Sequence, residues 1–534
     1  MINGQVVVAA ELDGLLTAEA VGIAGGRVVS VGTRDQVADV AAPGARVIDA
    51  GEAAVIPGLH DFHVHLVTLA RGRAAIGLDD AADGGEVLDR LRTAAAGGDA
   101  WITGRGWSEP QLAGVPPGAL DSAVRERLVF LTSHDGHSAW ASAAARRLAG
   151  LTATTPDPDG GRIERDSRGE PTGILRETAF DLVAPLVARL QGDALRAPLD
   201  ATLRDLAALG ITGASEAGDY TDANGFGADV AMGDAYSSLT DLGDLVDGRL
   251  RLTLGIPVDA ISAAAARGLR TAMHLDHRRT MRFGWAKEYA DGALGSGTAA
   301  LFEPRSCGDG GTGIQRVTPE GLDTLFAVAR AAGIGLAVHA IGDRATATVL
   351  DAVERAPARV SGQLRDRMEH AQLLRNADVS RFAELGVIAS IQPIHAAADR
   401  DFVESCWDGR QDGAYAWRSL RSAGAHLAAG SDAPFESVNP WLGIFAAVHR
   451  RLPTDVRGDW RPAQALTVTE ALSAYTLGPA QSIGADDEGH LRPGARADLA
   501  VLSVDLDTLL AADERLAEVS SVMTLVDGRE VPAG

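Results

Sequence analysis

The sequence has little cysteine, no long apolar run and no excess of basic residues. Cys307 and Cys406 are its two cysteines in 534 residues, so at most one disulfide can form and the fold cannot depend on a framework of bridges. No apolar stretch reaches the roughly 18 to 20 residues needed to cross a bilayer. The N-terminus also lacks the basic and apolar regions of a signal peptide. These absences predict a cytoplasmic protein.

Acidic residues outnumber basic ones by 72 to 49, which gives a formal net charge of −23. Such a surface repels phosphates, so neither nucleic acid nor an anionic membrane is an expected partner. The acidic residues are dispersed along the chain, which indicates a solvated surface rather than a tuned site. The expected partner is a small-molecule substrate, and a homo-oligomer is left open.

Both ends of the chain predict short strands. Residues 1–54 contain β-like runs separated by glycine-rich turns, including the hairpin signal Gly25-Gly26, and residues 485–534 contain similar runs. Each end alone is too small for a stable sheet. We therefore expect the two ends to pair into one small β-sandwich domain.

Between these ends, residues 55–484 alternate strands with longer helical stretches, a pattern typical of a parallel α/β fold. Eight strands are predicted, the number that closes a (β/α)₈ TIM barrel. They cover residues 55–65, 211–216, 250–256, 281–289, 335–340, 367–370, 387–392 and 426–431. The interval 66–200 is far longer than one crossover requires. We expect it to form an inserted subdomain over the barrel mouth, where such enzymes build substrate pockets.

The first predicted barrel strand carries two histidines at a spacing of two. In a strand, Asp61, His63 and His65 point to one face, because side chains alternate. Two imidazoles on one face suit joint ligation of a metal ion. An isolated H-x-H is equally compatible with two ordinary histidines near a strand end, so the interpretation depends on the other strands.

Metal-capable side chains also end other predicted strands. Lys287 lies on the fourth strand, His339 ends the fifth, His370 the sixth and Asp432 the eighth. The carboxyl ends of barrel strands meet at one mouth, so these side chains are expected to converge with the first strand. Six other histidines fit no constellation and are expected to pack or to be solvated: His274, His277, His395, His426, His449 and His490.

These blocks resemble the metal-dependent amidohydrolase superfamily, in particular the amidohydrolase family 3 branch of YtcJ-like proteins and N-substituted formamide deformylases. The resemblance runs nearly from end to end. Its strongest blocks are VIPGLHDFHVH at 55–65, DGHS at 135–138 through Glu177, KEYADGALGSGTAA at 287–300, HAIGDR at 339–344, EHAQ at 369–372 and GSDAP at 430–434. Gly297 departs from the pattern, because the branch carries an arginine there, and this puts any role of that arginine in substrate binding in doubt.

The resemblance implies one or two divalent metals per chain, with zinc expected. The implied ligands are His63 and His65 on one metal, His339 and His370 on a second, Lys287 as an N-carboxylated bridge, and Asp432 on the first metal. Asp432 would also move protons during catalysis. The alternative for Lys287 is an ordinary ammonium that pairs with Glu288 or Asp291 beside a one-metal site.

Further residues are candidates for supporting roles. Three residues of the insertion, His137, Trp107 and Glu109, are candidates for the substrate pocket; alternatively Trp107 packs in a core and His137 ties a turn together. Asp61 is a candidate for orienting a ligand histidine. Asp343 is a candidate for a similar role near the fifth strand, or it caps the helix that follows.

The expected activity is metal-dependent hydrolysis of non-peptide carbon–nitrogen bonds in amides, N-substituted formamides or cyclic amides. One alternative is a deaminase on the same fold, although deaminases of this superfamily often use one metal without the bridging lysine. A second alternative is a non-catalytic relative that binds a small molecule. The complete set of candidate ligands favours catalysis, and the fold alone would not discriminate.

Overall fold

Both ends of the chain meet in one sheet. The computed structural model describes residues 1–11, 14–73, 75–97, 101–187, 193–218, 242–308, 310–359 and 365–533. The terminal strands are β1 Ile2–Glu11, β2 Gly14–Ala24, β3 Arg27–Gly32, β4 Ile48–Pro57, β19 Leu499–Asp505, β20 Ser521–Val526 and β21 Arg529–Val531. They hydrogen-bond in the order β21-β20-β19-β4-β1-β2-β3, so the small domain predicted from the two ends takes the form of one seven-stranded sheet.

The central part of the chain forms an eight-stranded parallel sheet that curls into a barrel. Its strands are β5 Leu59–Val64, β12 Ile211–Glu216, β13 Arg251–Pro257, β14 Met281–Tyr289, β15 Leu336–Ala340, β16 Arg367–His370, β17 Ile388–Ile391 and β18 His426–Ala429. Neighbours follow the order β18-β17-β16-β15-β14-β13-β12-β5. The first and last strands approach through their carboxyl ends, where His65 N donates to Ala433 O at 2.9 Å and Asp432 N to His63 O at 2.7 Å. The predicted barrel is confirmed.

The predicted first strand, residues 55–65, is divided in the structure. Residues 55–57 end β4 in the terminal sheet, and the barrel strand starts at Leu59. Gly58 N donates to Asp498 O at 2.9 Å, and a Cβ on Gly58 would lie 2.0 Å from the hydroxyl oxygen of Thr212. The single long strand is therefore wrong at this point, because the apolar run continues across a glycine that passes the chain between two sheets.

Amphipathic helices cover the barrel. The helix Pro319–Ala332 begins at the N-cap Thr318 and ends at Gly333 in the left-handed conformation, and it buries Leu322 and Phe326 one turn apart. Apart from three helices that pack with the sheet of the insertion, the other helices are Arg34–Asp39, Leu66–Gly72, Asp193–Ala208, Ile261–Ala266, Asp343–Arg355, Asn376–Leu385, Pro393–Ala398, Arg400–Cys406, Trp417–Ser422, Pro440–His449, Val468–Tyr475, Leu477–Ser482 and Leu506–Ala511.

The insertion after the first barrel strand has its own sheet. Its strands are β6 Ile76–Gly77, β7 Trp101–Trp107, β8 Leu128–Ser133, β9 Ser138–Ala141, β10 Gly161–Arg165 and β11 Pro171–Glu177, and its helices are Gly84–Ala95, Ala119–Val124 and Ala143–Leu148. The strands follow the order β10-β11-β9-β8-β7-β6 and bury two separate apolar clusters. Residues from the β7 and β8 ends form one wall of a cleft at the barrel mouth.

Cys307 and Cys406 form a disulfide with their Cα atoms 4.6 Å apart. It ties the loop after β14 to the helix Arg400–Cys406. Disulfides are typical of oxidising compartments, so this one gives no support to the expected cytoplasmic location. No helix in the described ranges is long and apolar enough to cross a membrane.

A buried ion-pair cluster joins the terminal sheet to the barrel. The guanidinium of Arg251, at the start of β13, contacts the carboxylates of Asp498 and Asp527, with one N–O distance of 3.0 Å to Asp498 and one of 2.5 Å to Asp527. We expect Arg251→Met to lower the free energy of unfolding by about 3–5 kcal/mol, because it leaves the buried carboxylate of Asp498 without its cation. Asp527 is partly exposed and keeps its ion pair with Arg496. Urea unfolding at neutral pH measures the change.

The matched control is Arg278→Met. Arg278 pairs with Asp247 on the surface, with both side chains more than half exposed, and such pairs contribute about 0–1 kcal/mol. Equal stability losses for the two variants would contradict the role assigned to the buried cluster.

Candidate metal centre

Three predicted ligands converge at the barrel mouth. His63 lies on β5, His65 follows it directly, and Asp432 follows β18. The Nε2 atoms of His63 and His65 lie 3.2 Å and 3.1 Å from Asp432 Oδ1. All three side chains are buried, and one ligand atom from each lies within 4.8 Å of the others. This spacing is that of groups that can share one metal ion.

A second group shares the same aspartate. His370, at the end of β16, has its Nδ1 3.9 Å from Asp432 Oδ2, and His395 has its Nε2 3.1 Å from that oxygen. The sequence interpretation gave His395 a packing or solvated role, which the structure shows to be wrong. His395 lies in the short helix Pro393–Ala398 directly after β17, so the search for polar residues at strand ends, extended by four residues, would have found it.

His339 lies beside this second group. Its buried ring is 4.5 Å from the ring of His370, measured between centroids. Its Nε2 lies 3.1 Å from the carbonyl oxygen of Gly292, which can only accept, so Nε2 carries the proton and Nδ1 is the nitrogen left for a metal. The structure therefore brings together the predicted histidines of the first, fifth and sixth strands.

Lys287 lies in the barrel interior beneath the histidines. It is 8% exposed, and it lines a small cavity together with His63 and Glu369. Of its two alternative partners, Glu288 has a pKa that burial raises overall, although it is close enough for the charge of Lys287 to lower that pKa in part. Asp291 accepts hydrogen bonds from three backbone N–H groups, and Glu288 accepts one from Tyr289 N.

A carboxylate that the sequence interpretation did not single out orients the first histidine. Glu369 Oε2 lies 2.5 Å from His63 Nδ1 and accepts from the Arg367 guanidinium at 2.9 Å. Burial raises the pKa of Glu369, but Arg367 and His63 outweigh it and hold that pKa well below its usual value. An ionised Glu369 fixes the proton on Nδ1 and aims Nε2 at the mouth. Asp61 instead accepts from the backbone N–H groups of His63 and Ser431 at 3.2 Å and 2.9 Å.

The donor set fits a divalent cation. His63 Nε2, His370 Nδ1 and Asp432 Oδ1 are buried and make no hydrogen bond of acceptable geometry to any described residue, which is costly unless an ion satisfies them. Burial holds the pKa values of His339 and His370 well below the usual histidine value, so both are neutral, the form that ligates metals. Nitrogen and carboxylate donors of this kind suit zinc and similar ions.

The predicted supporting residues differ in how close they come to this centre. His137 reaches the inner wall of the cleft, 5.0 Å from the His339 ring between centroids. Trp107 is 1% exposed and donates its indole N–H to Leu131 O, so it mainly packs inside the insertion. Glu109 lies at the outer rim and pairs with Arg176. Asp343 lies in the first turn of its helix, where its carboxylate accepts from Phe302 N at 3.0 Å, so it anchors a loop.

The glycine that departs from the family pattern has a left-handed backbone. Gly297 has a φ of +68°, which strains any other L-residue, and a Cβ there would lie 2.9 Å from the guanidinium carbon of Arg305. A side chain at position 297 would therefore require the flexible end of Arg305 to move.

The comparison with known families rests on nearly the whole chain. The sequence model of the amidohydrolase family matches residues 46–532. The chain belongs to the amidohydrolase family. This amidohydrolase is 31% identical to the YtcJ protein of Bacillus subtilis, over 96% of each chain. It is 29% identical to N-substituted formamide deformylase of Arthrobacter pascens, over 96% of this chain and 94% of that one.

A solved structure gives the same result for the fold. An uncharacterized metal-dependent hydrolase from Pyrococcus horikoshii superposes on this amidohydrolase with a TM-score of 0.74 and 26% identity, covering 94% of this chain and 97% of that one. The family and the barrel expected from the sequence are confirmed.

Proposed function

We propose that this amidohydrolase hydrolyses non-peptide carbon–nitrogen bonds in amides, N-substituted formamides or cyclic amides. The observation that carries the proposal is the set of buried imidazole and carboxylate atoms at the barrel mouth that make no hydrogen bond to any residue in the described ranges. The relative named as an N-substituted formamide deformylase, which aligns along 96% of this chain, supports a carbon–nitrogen bond as the target.

The residues present would hold two ions. His63, His65 and Asp432 would bind one, and His339 and His370 would bind the other. N-carboxylation would give the buried Lys287 two oxygens and a negative charge, which suit a bridge between cations, whereas an ammonium would repel them. Bound zinc or a similar ion lowers the pKa of water and polarises a carbonyl group.

Asp432 is the group suited to move the proton. Burial raises its pKa, but His63, His395 and His65 outweigh burial and hold the pKa of Asp432 well below its usual value. Asp432 is therefore ionised, and an ionised carboxylate can take a proton from the attacking water, whose oxygen bonds to the carbonyl carbon. It then delivers the proton to the nitrogen as the carbon–nitrogen bond breaks. An amine leaves poorly without that proton.

His395 holds the second oxygen of Asp432. Burial lowers the pKa of His395, but the hydrogen bond and charge of Asp432 outweigh it and raise this pKa to about 9. The ring therefore donates to Asp432 Oδ2, at the 3.1 Å distance between Nε2 and that oxygen, and fixes the direction of the carboxylate.

We expect His395→Asn to lower kcat by about 10²-fold, because Asp432 loses the hydrogen bond that orients it for proton transfer. The metal content should stay at the wild-type value. Steady-state kinetics and elemental analysis of the same preparations check both points. Loss of one ion in the variant would make His395 a ligand instead and would contradict this role.

A substrate panel tests the proposed function. It contains N-benzylformamide, acetanilide, the cyclic amide hydantoin and, for the deaminase alternative, an aminated heteroaromatic ring such as adenine. We expect release of a carboxylic acid and an amine from at least one open-chain amide, or ring opening of hydantoin. Ammonia released from the ring amine alone would favour a deaminase, and no turnover with metal bound would favour the non-catalytic alternative.

A further inference from the structure

The insertion contributes a histidine–glutamate pair to the wall of the cleft. His137 follows the turn after β8, and Glu177 ends β11. His137 Nδ1 lies 2.9 Å from Glu177 Oε2, and the His137 ring packs beside His339. None of the steps described above uses this pair.

Glu177 is held in place from several sides. Its side chain is fully buried, Thr298 Oγ1 lies 2.5 Å from Oε1, and the Arg316 guanidinium lies 3.3 Å from Oε2. Its φ of +50° is a left-handed conformation that a residue other than glycine rarely adopts. A Cβ on Gly292 would come within 2.2 Å of the Glu177 carboxylate, and the carbonyl of Gly292 is the partner of His339 Nε2. The pair is therefore fixed relative to the metal centre.

The hydrogen bond to Glu177 determines which nitrogen of His137 faces the cleft. A carboxylate that already accepts from Thr298 and Arg316 acts as an acceptor, so Nδ1 of His137 carries the proton. Nε2 has no hydrogen-bond partner in the described part of the chain, and His137 lines the cleft. A cleft-facing nitrogen held in this way is suited to contact a ligand.

We propose that His137 is a further catalytic residue, whose Nε2 hydrogen-bonds the amide group of the bound substrate, and that Glu177 is its positioning residue. The inference rests on the proposed amide hydrolysis. The His137 ring packs beside the ring of His339, which packs beside the ring of His370, with centroid distances of 5.0 Å and 4.5 Å. A substrate bound at these candidate metal ligands would therefore meet His137 on the side of the insertion.

Two variants distinguish a contact between His137 Nε2 and the substrate from a purely structural role of the hydrogen bond between His137 and Glu177. In His137→Asn the side-chain amide reaches the place of Nδ1, so the bond to Glu177 is kept and Nε2 is lost. In His137→Gln the amide reaches the place of Nε2, and the bond to Glu177 is lost. We expect kcat/KM for the best amide of the panel to fall about 10- to 100-fold in His137→Asn, with a smaller fall in His137→Gln. If the hydrogen bond to Glu177 has only a structural role, kcat/KM should fall more in His137→Gln than in His137→Asn.

Glu177→Gln tests the positioning role. Its amide can donate to Nδ1 and so change the tautomer of His137. We expect kcat/KM to fall about 10-fold, together with loss of the Nδ1-protonated pattern in the ¹⁵N NMR spectrum of the labelled ring. His277→Gln is the control, because His277 is exposed, and it should match the wild type in kinetics, metal content and melting temperature.

One measurement uses wild-type protein alone, so its result does not depend on whether a variant folds correctly. In wild-type protein, saturation with N-benzylmethanesulfonamide, an amide isostere that is not hydrolysed, should shift the Nε2 resonance of His137 while that of Nδ1 stays in place. An unchanged Nε2 resonance, or wild-type kcat/KM in His137→Asn, overturns the inference while amide hydrolysis stands. A wild type that hydrolyses no amide overturns the proposed function, and this inference with it.

Discussion

Asp432→Asn is expected to lower the rate of amide hydrolysis by about 10⁴-fold or more. The side chain contacts His63, His65 and His395 at once, so one substitution would weaken the proposed metal ligand and remove the proposed proton carrier together. Loss of a proton-transfer group costs about 10²- to 10⁴-fold, and a weakened ligand adds about 10- to 100-fold. Single-turnover kinetics at saturating substrate measure the effect on the chemical step.

The control for this substitution is Asp412→Asn. Asp412 is almost fully exposed and pairs with Arg461 at the surface, so its loss should change neither rate nor metal content. A rate in Asp432→Asn within tenfold of the wild type would contradict the assignment of Asp432 as both ligand and proton carrier.

Removal of the metal is expected to abolish hydrolysis and to lower thermal stability. Dialysis against a chelator leaves the buried imidazole and carboxylate atoms of the mouth without a partner, and it removes the binding free energy that stabilises the folded state. At free metal 1,000 times its Kd, that linkage is about 4 kcal/mol per site. We therefore expect activity to fall below about 0.1% of the untreated rate, with a melting temperature several degrees lower.

Added zinc should restore both properties after the chelator is removed. The Arg251→Met variant offers a useful comparison, because it should be less stable without losing its metal. Full activity in protein shown to contain no metal would contradict the proposed mechanism. An unchanged melting temperature would contradict only the structural contribution of the site.

The strand-end histidines could be predicted because the carboxyl ends of the strands of a parallel barrel all lie at the same mouth. The period of two places His63 and His65 on one face, and the common mouth brings in His370 and Asp432, more than 300 residues later. These inferences need only strand geometry and a count of strands. The insertion was predictable for a similar reason, since an interval of that length exceeds any single crossover.

Other parts of the site depend on distant contacts that leave no local signal. Glu369 and His370 are adjacent in sequence, and in a regular strand their side chains would point to opposite faces. His370 has a φ of +73°, which ends the strand geometry and lets His370 face the mouth while Glu369 faces His63. Nothing local to Glu369 marks a partner 306 residues away. The change from the terminal sheet to the barrel at Gly58 was missed for the same reason, because it depends on contacts with Thr212 and Asp498, which are distant in the sequence.

The number of divalent metal ions per chain tests the proposed bridged centre, in protein purified without chelator and with bicarbonate present. Wild type and Lys287→Ala are measured side by side by elemental analysis. We expect two ions per wild-type chain and a clear fall in the variant, because the proposed bridging carbamate would be lost. One ion in both proteins would contradict the bridged centre and favour a one-metal deaminase. No metal in either protein, even after reconstitution, would contradict a metal-dependent hydrolase altogether.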